Sequence, residues 1–293
     1  MTKSLMIQGT ASGVGKSILA IGLCRILHQD GYAVAPFKSQ NMSLNSHVLK
    51  DGLEMAKAQA IAAWACEIEP SCDMNPILLK PVNGITEVIV NGRSIGQMSS
   101  HEYKDFKRRQ AWPHIMEAYQ RLSSRYDFLI LEGAGSPVEM NMKENDVANM
   151  NMSRRVDSPV VLVADIDRGG MFASVIGTLA LFDENEKQSV KAIVVNKCMG
   201  RLELFDEVKL LLEKIAGIPV VGMIPYLSLD IEDEDNLCDR RTGLKKQVTG
   251  LSEKECAQLR EKQFDALAEN LRRHLDMKKI YEIIDEGKAF WKN

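Results

Sequence analysis

Between an apolar run, Leu5-Met6-Ile7, and an apolar, helix-patterned segment, Ile18 to Leu27, stands the string Gly9-Thr10-Ala11-Ser12-Gly13-Val14-Gly15-Lys16-Ser17. A strand, a glycine-rich turn and a helix start in this order form the setting that a phosphate-binding loop requires. Glycines let backbone N–H groups of residues such as Gly13, Val14 and Gly15 turn inward around phosphate oxygens, and the helix N-terminus adds its positive end. Lys16 can then reach the β- and γ-phosphates, and the Ser17 hydroxyl can ligate Mg²⁺. The spacing is a variant one: five residues separate Gly9 from Gly15, so the commoner four-residue spacing would have to begin at Thr10.

Such a loop needs a parallel sheet behind it, and the rest of the chain supplies candidates. Tyr32 to Phe37 reads as a second strand that delivers Lys38 to its C-terminal end, where open parallel sheets bind ligands. The following stretch, Lys38 to Ser46, is too rich in amides and hydroxyls for a strand or helix core, so it reads as a loop with Gln40 and Asn41 near the site. Glu54 to Ala65 is helical in pattern, with Glu54 at its start; Ile77 to Lys80 and Glu87 to Arg93, which closes on Asn91-Gly92, read as short strands. His101 to Arg125 has helical spacing and a basic face of Lys104, Lys107, Arg108 and Arg109, a solvated face or an anion-binding one.

Two continuous apolar runs, Phe128 to Leu131 and Val160 to Ala164, have the composition of strands buried on both faces. Chemistry-bearing residues follow each. The first ends in Glu132-Gly133-Ala134-Gly135-Ser136, placing a carboxylate where it can hold Mg²⁺ or its water. The second ends in Asp165, Asp167, Arg168, Gly169 and Gly170, where the arginine can approach a phosphoryl group or a carboxylate. Between them Asn141, Asn145, Asp146 and Asn149 form a polar loop whose Met140, Met142, Met150 and Met152 read as core filling. Phe172 to Leu181 is an apolar helix, Val190 to Val195 a strand presenting Asn196-Lys197, Leu204 to Ile215 an amphipathic helix and Val220 to Ile224 a closing strand. Strands alternating with helices through residue 225 predict an α/β fold with a doubly wound, mostly parallel sheet. Beyond the acidic run 230–235, Glu253 to Ile284 reads as a helix or helix pair that docks on the core or on a partner.

The balance of charge excludes some classes of partner. A formal net charge of −3 gives no reason to expect nucleic acid or an anionic membrane, and no apolar run is long enough to span a bilayer. The first thirty residues read as strand, loop and helix, so the expected location is cytoplasmic. The six cysteines form no C-x-x-C pair and are expected to be reduced, mostly buried thiols.

Several unusual strings then occur together: the Gly9–Ser17 loop with its extra residue, Phe37-Lys38-Ser39-Gln40-Asn41-Met42-Ser43, Asp73-Met74-Asn75-Pro76, Leu79-Lys80-Pro81, Glu132-Gly133-Ala134-Gly135-Ser136-Pro137 and Asp165-Ile166-Asp167-Arg168-Gly169-Gly170. In these the sequence resembles the cobyric acid synthase family, ATP-dependent amide ligases of cobalamin biosynthesis whose synthetase domain is of the P-loop NTPase type and looks like dethiobiotin synthetase. The resemblance implies ATP and Mg²⁺ as cofactors and a corrinoid, adenosylcobyrinic acid a,c-diamide, as substrate. Its peripheral carboxylates are activated as acyl phosphates and then attacked by ammonia, in the family at four positions in succession. It implies that Lys16 stabilises the transferring phosphoryl, that Ser17 and Glu132 hold the metal and that Lys38 bridges carboxylate and γ-phosphate; by their positions in the chain Glu54 is a further metal candidate and Arg168 a further catalytic one. Gly9, Thr10, Gly13, Val14, Gly15, Lys16, Ser17 and Asn196 would hold the nucleotide, Asn196 at the adenine, and Gln40, Asn41, Asp146 and Asp167 would contact the substrate.

Family members are longer and carry a glutamine-hydrolysing domain. None of the cysteines here sits in its nucleophile setting, so the expected organisation is a synthetase domain over 1–235, a linker over 236–255 and a C-terminal helical segment over 256–293 that resembles the family's last helix. Ammonia would come from solution or from a separate glutaminase, and a homodimer is compatible with the chain. The rivals are a partition-type ATPase switch, against which Ala11 stands where that class has its signature lysine, and a nucleotide-binding remnant without ligase activity.

Overall fold

The computed structural model describes residues 2–82, 84–200, 205–227 and 252–286, and the elements below are those among them. The chain opens with strand β1 (Lys3–Gly9), helix α1 (Lys16–Gln29) and strand β2 (Val34–Phe37). Three short strands follow, β3 (Gln40–Met42), β4 (Ser46–Val48) and β5 (Glu54–Ala56), before helix α2 (Lys57–Ala65). A hairpin pair comes next: β6 (Ile77–Val82), β7 (Ile85–Val90) and β8 (Arg93–Met98). Helices α3 (Ser100–Phe106) and α4 (Trp112–Ser123) are joined by a π-helical turn, Lys107–Ala111. Then come β9 (Phe128–Glu132), α5 (Met150–Val156), β10 (Val160–Asp165), α6 (Met171–Leu181), α7 (Glu184–Ser189), β11 (Val190–Cys198), α8 (Asp206–Ala216) and β12 (Val220–Pro225). The described chain closes with α9 (Glu253–His274) and α10 (Met277–Glu286).

Six strands form one parallel sheet in the order β12-β11-β10-β1-β9-β2. Its central strands are apolar on both faces because both are covered. Leu5 and Ile7 of β1 pack with α1, α9 and α10 on one side. Met6, between them, packs with α4, α5, α6 and α8 on the other. The doubly wound α/β sheet expected from the alternation of strands and helices is present. Because all six strands run parallel, Gly9, Phe37, Glu132 and Asp165 end at the same edge, beside the point where β1 separates β9 from β10.

The segment between β2 and α3 departs from the expectation of further βα units. Lys38 to Ser46 is not merely a loop: β3 pairs in parallel with β6, which continues antiparallel to β7 and β8 in a second, four-stranded sheet. Three residues of backbone pairing suffice for β3, and its central Asn41 is buried through a side-chain partner rather than through apolarity. Glu54 likewise lies in β5, paired with β4, and the helix starts only at Lys57. The Asn91-Gly92 turn is as expected, with φ of 49° and 80°, the pair of positive values that a two-residue hairpin needs.

The C-terminal helices dock on the core. At Gly22 of α1 an added Cβ would lie 2.1 Å from Leu271 Cδ1, so the missing side chain is what lets α9 approach. Phe264, Leu267, Leu271, Ile280, Ile283 and Ile284 are buried in the same cluster, each contributing about 1.5–3 kcal/mol of transfer free energy. Around this contact the buried Arg25 guanidinium pairs with Glu67, Glu261 and Asp265 at 3.0, 2.9 and 2.7 Å. Arg272 reaches Asp30 at 2.6 Å, and Tyr281 donates to the same carboxylate. The acidic run 230–235 and all of the linker up to residue 251 lie outside the described residues.

Candidate functional site

The loop between β1 and α1 is held from three sides. The Thr10 N–H donates to the carbonyl of Val163 on β10 at 2.9 Å, extending the sheet past Gly9. Gly15 has φ of 99°, a left-handed conformation costly for any side chain, and an added Cβ there would lie 2.0 Å from Asn196 Nδ2. That amide nitrogen donates to the Val14 carbonyl at 2.9 Å. Lys197 Nζ donates to the Gly13 carbonyl at 2.6 Å and pairs with Asp165 at 3.0 Å. Two loop carbonyls are thus drawn toward the end of β11, an arrangement that leaves loop N–H groups to face a ligand. Asn196, expected at the adenine, is seated here as a brace of the loop.

Lys16 begins α1, is 3% exposed, and its ammonium donates to the Ala11 carbonyl at 3.0 Å. One residue on, the Ser17 hydroxyl donates to Glu132 Oε1 at 2.7 Å. The same oxygen accepts from Lys38 Nζ at 2.8 Å. Glu132 and Lys38 are each 6% exposed, so the ion pair is removed from water and its geometry is demanding. The carboxylate's second oxygen is approached by Gln59 Nε2 at 3.5 Å, and Gln59 Oε1 accepts from Asn41 Nδ2 at 3.0 Å. Ser17, Lys38, Glu132 and, through Gln59, Asn41, picked from three separate strings, therefore form one hydrogen-bonded series.

Backbone clamps hold these groups in place. Asn75 Nδ2 donates to the carbonyls of Lys38 and Ile77, and its Oδ1 accepts from the Ala56 N–H. Ser39 donates to the Val147 carbonyl at 2.6 Å. Asn149 exchanges hydrogen bonds with Ala134, accepting from its N–H at 3.0 Å and donating to its carbonyl at 2.8 Å, which fixes the turn after β9.

In front of this series lies a cavity of about 630 Å³. Lys16, Lys38, Gln40 and Asn41 line one part, and Met42, Leu79 and Thr86 of the small sheet form a flank. Gln40 Oε1 accepts from the buried Tyr103 hydroxyl at 2.6 Å. Asp146 also borders the cavity, but its carboxylate accepts N–H groups of Ala148, Asn149 and Asn151 ahead of and within α5. Burial pushes that carboxyl above its ordinary range, against the pull of these N–H groups and of Lys107. Arg168 is exposed, with its nearest charge, Asp165, at 3.8 Å, and it stands beside Gly13 of the loop. Asp167 is exposed next to it and is not brought to the cavity; its N–H donates to Asp165 Oδ1.

Glu54 is placed elsewhere, on β5 of the two-stranded β4–β5 pair, where it pairs with Lys80 of β6 and accepts from Ser46. Its hydrogen bonds are spent there rather than beside Ser17. Met150 and Met152 are core, as expected, whereas Met140 and Met142 are exposed and Met142 borders the cavity. The apolar character of a methionine does not tell a loop position from a helix position, and only Met150 and Met152 lie on α5. Missed from the sequence were Gln59, Asn75, Asn149, Tyr103 and Lys197; the family-like strings contained Asn75, and the Asn196-Lys197 pair was in view with only its first member assigned.

Serine hydroxyl and carboxylate oxygens are hard donors that suit Mg²⁺, which binds through one or two protein oxygens and completes its shell with water and phosphate. The described residues hold no cluster of three His, Cys, Asp or Glu that could hold a metal ion. Cys24, Cys66, Cys72 and Cys198 are buried free thiols. No described helix is long and apolar enough to cross a membrane.

Residues 5–236 match the CobQ/CobB/MinD/ParA nucleotide binding domain. Similar proteins include the cobyric acid synthase of Clostridium botulinum (strain Alaska E43 / Type E3), 50% identical over 238 residues, and that of Ruminiclostridium cellulolyticum, 49% identical over 241 residues. These alignments cover 81% and 82% of this chain but 47% of each relative, so the chain spans about half the length of the proteins it resembles. A solved ParA family ATPase from Chlorobium tepidum TLS superposes with a TM-score of 0.47 at 14% identity, covering 92% of this chain and 96% of that one. The match over most of its length makes the chain a member of the CobQ/CobB/MinD/ParA nucleotide-binding domain family, with cobyric acid synthases among its similar relatives.

Proposed function

We propose that this chain catalyses the ATP-dependent amidation of peripheral carboxylates of adenosylcobyrinic acid a,c-diamide, using free ammonia or ammonia from a separate glutaminase. The observation that carries the reading is the contact series Ser17–Glu132–Lys38, which joins the phosphate loop to a buried lysine at the cavity wall. A carboxylate is a poor electrophile. Its oxygen must attack the γ-phosphorus of ATP, release ADP and form an acyl phosphate; ammonia then attacks the acyl carbon, phosphate leaves, and a proton is lost from nitrogen.

The chain's own part in this is positioning and charge stabilisation. Lys16 and the loop N–H groups hold the phosphates, and Lys16 offsets the charge that develops on the transferring group. Lys38 binds the incoming carboxylate and keeps it against the γ-phosphate, with Glu132 holding the ammonium in place. Ser17 and Glu132 would hold Mg²⁺, which supplies charge neutralisation on the phosphate oxygens. Arg168, beside the loop and free to swing, adds a second cation at the phosphates. Lys197 and Asn196 keep the loop in shape, and Asn196 is assigned to the adenine as well. Gln40 and Asn41 face the corrinoid.

The test is incubation with adenosylcobyrinic acid a,c-diamide, MgATP and ammonium, following corrinoid mass and ADP. Stepwise mass changes of one amide are expected, lost in Lys16→Ala. A folded protein that binds nucleotide yet gives neither amidation nor corrinoid-stimulated ADP release overturns the reading and leaves a switch or a remnant.

A further inference from the structure

One part of the cavity is left unused by this chemistry. Its wall is completed by α3 and the π-helical turn, which contribute Ser100, Tyr103, Lys104 and Lys107. Five lysines line the cavity against two acids, Glu139 and Asp146. Three of the five have other duties: Lys16 and Lys38 belong to the phosphate end, and Lys143 pairs with Glu186 at 2.5 Å. Lys104 and Lys107 remain. Among the described residues no carboxylate lies within ion-pair distance of either.

A π-helical turn begins at the second of them, one turn of helix after Lys104. A π-turn inserts one extra residue into a helix and shifts the side chains that follow, a distortion common at functional sites. Here it begins at Lys107, whose ammonium lies over the Tyr103 ring, 5.5 Å from its centroid. Tyr103 in turn donates to Gln40 across the cavity. Burial, joined by Lys104, lowers the Lys107 ammonium from the ordinary lysine range while Asp146 pulls it up, so an anion placed here would be welcomed by two cations in a partly dry setting.

Resting on the function proposed above, we infer that Lys104 and Lys107 bind a non-reacting carboxylate of the polycarboxylate substrate, thereby selecting which carboxylate meets Lys38. A substrate with several acid groups has several ways to enter one cavity. Two cations apart from the phosphate loop reduce that number by requiring one acid group at each end.

The proposal is tested by equilibrium dialysis of adenosylcobyrinic acid a,c-diamide against the wild-type chain, Lys107→Met, the Lys104→Met/Lys107→Met pair and Lys107→Arg, with ATP affinity measured in parallel. Corrinoid affinity is expected to fall about tenfold in Lys107→Met and further in the pair, as for loss of a charged hydrogen bond, while Lys107→Arg retains most of it. ATP affinity is expected to stay within about twofold of the wild type. Unchanged corrinoid binding in the pair overturns this assignment alone, as does an equal loss of ATP affinity, which would make the lysines part of the nucleotide site. A wild-type chain that binds ATP but no corrinoid overturns the function proposed above, and this assignment with it.

Discussion

Helix α1 is gripped at two places, by different means. At its N-terminus Ser17 enters a buried polar series with Glu132 and Lys38, while the buried Lys16 donates to the Ala11 carbonyl. Further along, Gly22 and its neighbours lie against Leu267 and Leu271 of α9, with the buried Arg25 reaching Glu261 and Asp265 beside them. The first grip takes charges out of water and gains little net stability for it. The second takes hydrocarbon out of water and gains much. A single helix thus separates what recognises from what holds the fold together, and the two should respond differently to substitution.

The sharpest test is at the shared carboxylate. Glu132→Gln removes the carboxylate from the buried Lys38–Glu132 pair, and a loss of about 3–5 kcal/mol in urea unfolding is expected. A loss under about 1 kcal/mol would mean that the front grip behaves like a surface pair. Next, Lys16→Ala should lower ATP turnover by about 10²–10³-fold with the unfolding midpoint nearly unchanged. At the rear, Leu271→Ala should cost about 2–5 kcal/mol while leaving nucleotide affinity as it was. If affinity fell in step with stability, the two grips would not be separable.

Rim charges give smaller effects. Burial pushes the Asp30 carboxyl up, but hydrogen bonds from Arg272 and Tyr281 and the Arg272 charge outweigh it and hold the pKa below the ordinary 3.8. A carboxyl with a depressed folded-state pKa stabilises the fold above its unfolded value and loses that contribution as pH falls through the folded one. Asp30→Asn should therefore flatten the acid side of the stability profile below about pH 4 and change little at neutrality. Smallest of all, Lys50→Ala breaks a pair whose side chains are 88% and 79% exposed, and a change under about 1 kcal/mol is expected.

The same contrast governs what could be read from the sequence. The phosphate loop, the buried strands and the polar residue at each strand end follow local rules of spacing and apolarity, so Lys16, Ser17, Lys38 and Glu132 were legible at once. So was the apolar stripe of α9, although only packing could say that it docks on α1. The second sheet was not legible, because β3 is three residues long and owes its place to a partner almost forty residues further along. Glu54 was misread with it: an alanine-rich stretch suggests a helix one turn early, and Lys80, which claims the carboxylate, comes from a distant strand. The braces Asn75 and Asn149 bond to backbone remote in sequence, which no local pattern encodes.

Asn75 carries a mechanical consequence. One side chain ties the carbonyl of Lys38, the carbonyl of Ile77 at the start of β6 and the N–H of Ala56 before α2. The small sheet and Lys38 are thereby tied together through one side chain. Any swing of that sheet over the cavity must carry Lys38 along, so that closing on a substrate and aligning the ammonium amount to a single displacement rather than two.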